Sequence, residues 1–66
     1  MSRSGAPLGL VIELTDEQAC AFAQFLKRVA VDDYRRLAVD LDEAYAMHDA
    51  GEAIRRTLAE QGYAPR

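Results

Sequence analysis

Asp32-Asp-Tyr-Arg-Arg-Leu-Ala-Val-Asp-Leu-Asp-Glu43 is the stretch that decides the fold. It carries two helix-start signals and five carboxylates in one short run. Asp32 or Asp33 can cap a short helix, with Tyr34, Leu37, Ala38 and Leu41 on its inner side at helical spacing. Asp40 and Glu43 stand at the spacing of a capping box, with Asp in place of Ser or Thr. That second signal means that the helix re-starts. A single helix from 33 to 61 is the competing reading.

Working backwards, Thr15-Asp-Glu-Gln18 is a capping box: the Thr15 hydroxyl accepts from an amide three residues on, and Gln18 reaches back. Asp16 and Glu17 fall in the first turn and Lys27 and Arg28 in the last turns, each the sign that the helix dipole favours. Ala19, Phe22, Phe25, Leu26 and Val29 recur at helical spacing, which predicts a helix over about 16–30 with these residues inward. Cys20 falls on the polar side. Before the cap, Leu8-Gly-Leu-Val-Ile-Glu-Leu14 alternates around β-branched Val11 and Ile12, an extended segment with one apolar face. It has no second strand to pair with, so it lies across the helices or pairs with its own copy. Residues 1–7 read as a flexible lead, and 8–64 as one helical domain.

Working forwards, a last helix runs to about Gln61, with Gly62 as a left-handed stop and Pro65 beyond it. Ala44, Met47, Gly51, Ile54 and Leu58 form its inner stripe. His48 and Arg55 flank that stripe, and Asp42, Asp49, Arg56 and Glu60 face away. Glycine inside a helix costs roughly 1 kcal/mol relative to alanine. At Gly51 it allows the first helix close, against Phe22 or Phe25, or is merely tolerated. The fold expected is all-α: two main helices and a short linking one, preceded by an extended segment.

Composition sets the outer limits. Sixty-six residues with 50% hydrophobic content make one thin-cored domain, with only ~3–5 kcal/mol of stability unless something staples it. A single cysteine excludes an internal disulfide, and a single histidine far from it offers no zinc site. Helix packing and self-association remain, so a monomer or a homodimer is expected. The net charge of −3 opposes direct nucleic-acid binding, where Lys and Arg neutralise phosphate, and opposes an anionic membrane surface. A helical DNA binder would need Arg35, Arg36, Arg55 and Arg56 on one face. No apolar run approaches the ~20 residues of a membrane span, and the N-terminus carries no apolar signal core. The expectation is a cytoplasmic protein.

Chemistry is sparse. His48 has no Ser, Cys or carboxylate partner at a catalytic spacing, and Cys20 stands more than one turn into its helix. An enzyme is not expected, nor a cofactor or a metal. The acids Asp32, Asp33, Asp40, Asp42 and Glu43 are five of the eleven in the chain. Spaced on a rigid helical surface they can imitate duplex phosphates and occupy the basic groove of a nucleic-acid-binding protein. Against this, capping explains several of them, and Arg35 and Arg36 partly neutralise the run. Tyr45, on the outward side, is an interface candidate beside them, since tyrosine is enriched at binding hot spots. Tyr34 reads as core, and Tyr63 can pack over the helix end.

Glu13-Leu-Thr-Asp-Glu-Gln18, the segment from Phe25 to Asp40 and the ending Leu58-Ala-Glu-Gln-Gly-Tyr-Ala-Pro-Arg66 resemble very short acidic proteins encoded on proteobacterial mobile elements. In size and charge the chain also resembles small anti-CRISPR proteins directed at type I systems. The resemblance implies an inhibitor without enzymatic activity. Some members of that class mimic DNA and block the surface where the surveillance complex recognises its target. On this chain, Asp32, Asp33, Asp40, Asp42 and Glu43 would then stand in for phosphate charge. The alternative is a self-associating accessory or antitoxin-like module in which Leu10 to Leu14 mediate dimerisation and the acids are simply solvated.

Overall fold

The computed structural model describes residues 7–64. Three helices follow one another: α1 (Asp16–Arg28), α2 (Val31–Arg35) and α3 (Leu41–Glu60). There is no strand among the described residues. The chain is therefore all-helical, with two longer helices joined through a short one. The flexible lead expected for residues 1–7 lies outside the described residues except for Pro7, and Pro65 lies outside them too.

Local chemistry starts each long helix where the sequence places it. The Thr15 side chain accepts from the Gln18 amide at 3.0 Å, and the Thr15 amide donates to the Gln18 side chain at 2.9 Å. Both halves of the capping box are thus closed. Asp40 Oδ1 accepts from the Glu43 amide at 2.8 Å and opens α3. Glu43 Oε1 takes the amide of Val39, at 2.9 Å, instead of that of Asp40. The interruption at Asp40 rules out the continuous helix from 33 to 61.

Helix ends are equally local in origin. α3 stops in a Schellman motif: Gly62 takes φ +100°, the Tyr63 amide donates to Leu58 O at 2.9 Å, and the Gly62 amide to Ala59 O at 3.0 Å. Tyr63 packs against the core cluster that contains Leu58, the apolar contact that accompanies this motif. α1 ends two residues earlier than expected. Val29 turns to extended backbone, ψ 138°, and its amide makes the last helical bond, to Phe25 O.

α2 differs from its expectation. Its N-cap is Ala30, not Asp32 or Asp33. Asp33 reaches back from the third helical position, its Oδ2 accepting from the Ala30 amide at 2.8 Å. The helix ends at Arg35, so Leu37 and Leu41 do not continue its inner face. Leu37 is 84% exposed, and Leu41 is exposed at the head of α3. Tyr34 turns inward and is half-buried, and Ala38 is half-buried in the bend beyond the helix.

α1 and α2 each pack on α3. The buried residues are Ala19, Ala23 and Leu26 on α1 and Ala44, Gly51 and Leu58 on α3. Phe22 and Phe25, expected inside, are exposed and stack on each other with ring centroids 5.4 Å apart. The physical reason lies in the helix wheel. Ala19, Ala23 and Leu26 make one stripe, and Phe22, Phe25 and Val29 make the next. At 100° per residue the two together span about 160°, wider than one neighbouring helix covers. The stripe of small residues wins the seam because it brings the backbones closer. On α3, Met47 is half-buried and Ile54 exposed, so the inner stripe narrows to Ala44, Gly51 and Leu58.

Gly51 does allow a close approach, but its neighbour is on α2. The Tyr34 hydroxyl lies where a Cβ on Gly51 would stand, with Leu26 Cδ2 at 3.4 Å from the same point. The Tyr34 ring meets His48 edge-on, centroids 6.1 Å apart. This locks the short helix onto the long one.

Candidate interaction surface

The acids of the bend are arranged by their local duties. Asp33 holds the Ala30 amide and also pairs with Arg36 at 2.9 Å. Asp32 pairs with Arg35 at 3.7 Å. Asp40 and Glu43 accept backbone amides around the start of α3. Asp42, exposed in the first turn, favours the positive end of that helix. Asp32, Asp33, Arg35 and Arg36 line a single shallow depression, two carboxylates facing two guanidinium groups. Four of the five acids are therefore engaged one by one with backbone amides or cations, and Asp42 is left facing water. Tyr45 is 51% exposed on α3.

A different surface is made by the large apolar side chains. Phe25, Val29 and Leu37 line a groove of about 520 Å³ where the end of α1 meets α2. Arg28, Arg36 and Asp33 also line it. Phe22 continues the groove along α1 through its stack with Phe25. Ahead of α1, every residue from Pro7 to Leu14 is exposed, including Leu10 and Ile12, each about two-thirds in water. Residues assigned to the core by spacing thus form the most apolar part of the surface. The width of the apolar arc on α1 is the signal in the sequence that points to this.

Electrostatics elsewhere is structural. Arg55 donates to Glu52 at 2.8 Å. That bond holds the Glu52 carboxyl below its ordinary value and lifts Arg55 above its own. The Tyr63 hydroxyl donates to Asp16, a contact that joins the end of α3 to the start of α1. This bond raises the Tyr63 phenol, with burial and the Asp16 charge adding to it. Burial first, then the charges of Glu52 and Asp33, raises Tyr34. Among the described residues, no group of His, Cys, Asp and Glu side chains is placed to hold a metal ion. Cys20 is exposed, as its polar-side position predicts. His48 is half-buried beside Tyr34, the flanking position expected of it. No described helix is long and apolar enough to cross a membrane.

Across residues 1–66 the chain matches the family of unknown function DUF7706. It belongs to that family. Comparison with curated proteins and with solved structures gives no match.

Proposed function

We propose that this DUF7706 protein is a non-enzymatic protein-binding module of the self-associating, accessory type. Its contact surface is the apolar groove at the α1–α2 corner together with the apolar segment ahead of α1. One observation carries this reading: Leu37 and both phenylalanines, Phe22 and Phe25, are exposed, while the buried core is three alanines with Leu26 and Leu58. Exposed apolar patches of several hundred Å² on small proteins mark contact sites.

A second reading keeps the acidic surface of Asp32, Asp33, Asp40, Asp42 and Glu43, with Tyr45, as the face offered to a basic nucleic-acid-binding partner such as a type I surveillance complex. Its support is that the side chain of Asp32 is 90% exposed and that Asp40 and Asp42 also face water. It is the weaker of the two, because most of these carboxylates already serve amides or guanidinium groups. The family match names no function and favours neither.

Cross-linking mass spectrometry on the full chain in extract of its native host separates the two readings. Cross-links through the Phe25–Leu37 face, abolished by Leu37→Asp, support the apolar reading. Cross-links confined to the acidic bend, lost on reversing Asp32 and Asp42 and weakened by salt, would replace it with the second.

A further inference from the structure

The groove and the segment ahead of α1 are complementary in kind. The groove is lined by Phe25, Val29 and Leu37, with Arg28, Arg36 and Asp33 also along it. The segment Leu8–Leu14 is apolar and carries one charge, the carboxylate of Glu13. Of the two cations, Arg36 is held by Asp33, whereas Arg28 is bonded to a neutral group, the Gln24 side chain, at 3.3 Å. Glu13 makes no ion pair among the described residues.

We propose that the segment Leu8–Leu14 of one copy lies in the Phe25–Leu37 groove of a second copy, and the reverse, forming a two-fold dimer with Glu13 of each against Arg28 of the other. This rests on the apolar reading above and names the occupant of that surface. The segment does not cover its own groove, since every residue from 7 to 14 is exposed. To do so it would have to turn back through Thr15, which the reciprocal cap holds in extended geometry with ψ 161°. A second copy removes that requirement.

Area supports the same occupant. Leu10, Ile12, Leu14, Phe22, Phe25 and Leu37 leave roughly 700 Å² in water, near the ~800 Å² that each partner brings to a stable interface. A two-fold contact is also self-complementary, as an exchange of identical segments requires.

Sedimentation equilibrium on the full chain tests this. Leu10→Asp with Ile12→Asp changes residues outside the helices, so helicity stays and the dimer should be lost. Glu13→Arg and Arg28→Glu should each weaken dimerisation about tenfold or more, because every substitution occurs twice across a two-fold axis, and the double swap should recover most of the loss. In a Cys20→Ser background, cysteines replacing Ile12 and Leu37 should form a disulfide between chains. A wild-type monomer at millimolar concentration overturns the proposal, as does a dimer indifferent to Leu10→Asp with Ile12→Asp. A disulfide within one chain overturns it in favour of a segment folded on its own groove. Cross-links from the Phe25–Leu37 face to a different protein, with the chain itself monomeric, overturn the second copy and the self-association with it, and leave only the apolar contact surface standing.

Discussion

The seam between α1 and α3 and the outer face of α1 are built from opposite materials on the same helix. Ala19 and Ala23 with Leu26 make the seam, whereas Phe22 and Phe25 make the outer face. Small side chains let two backbones approach closely, and they release little apolar area in doing so. The seam therefore fixes geometry while holding little stabilising surface. The outer face holds more apolar surface and leaves much of it exposed.

The sharpest way to break this comparison is to truncate one large residue on each side. Leu26 is 3% exposed. Leu26→Ala should cost about 2–5 kcal/mol, as much as a domain of this size holds, so the thermal transition followed by circular dichroism should disappear. Phe25→Ala in dilute solution should move the monomer by less than about 1 kcal/mol. Equal losses at the two positions would mean that the outer face is part of the core.

Gly51→Ala comes next. Alanine gains roughly 1 kcal/mol of helix propensity, but its Cβ meets the Tyr34 hydroxyl and displaces a ring held between two helices. A net loss of about 1–2 kcal/mol is expected. With Tyr34→Phe already present, the same change should turn stabilising, since ring carbon Cζ sits at an ordinary 3.4 Å from that position. Chemical denaturation of the wild type, the two single variants and the double variant gives the coupling. A loss that persists in the Tyr34→Phe background would place the obstruction elsewhere.

The two caps sharpen the comparison at smaller scale. Thr15→Ala and Asp40→Ala should each cost about 1 kcal/mol, and Asp40→Ala should also unfasten the bend between α2 and α3. Amide exchange at Glu43, whose N–H Asp40 accepts, should accelerate in the second variant alone. The smallest effect belongs to the phenol of Tyr63. Its ionisation lies above the ordinary value of 10 because the neutral hydroxyl donates to Asp16. A raised value contributes stability that is complete below pH 10 and is lost as pH rises through the folded-state value. The urea midpoint of the wild type should exceed that of Tyr63→Phe at about pH 8, and the gap should narrow as pH rises above the ordinary value of 10. A constant gap would show that the hydroxyl is not the cause.

What was legible in the sequence was what is decided locally. The Thr15–Gln18 box, the Asp40 start and the Gly62 stop each depend on residues within a few positions, and each stands where the sequence puts it. Which face of α1 turns inward is a competition between two adjacent stripes. Residue size favours Phe22 and Phe25, whereas closeness of approach favours Ala19 and Ala23, and spacing alone does not rank them. Leu37 was out of reach for a related reason. Its inward assignment assumed that α2 continues, but the Asp40 cap needs extended backbone, φ −156° and ψ 178°, so the chain leaves the helix before Leu37. The acids of the bend were legible as caps, and their pairing with Arg35 and Arg36 follows from three-residue spacing on α2.

The contact between Tyr63 and Asp16 brings the finish of the last helix beside the beginning of the first. A few glycine and serine residues would thus suffice to weld those two points, and the polypeptide could be reopened between Ala38 and Val39 to give a circular permutant. Such a permutant dispenses with the segment ahead of Asp16, so its melting would report how far the three helices stand without it.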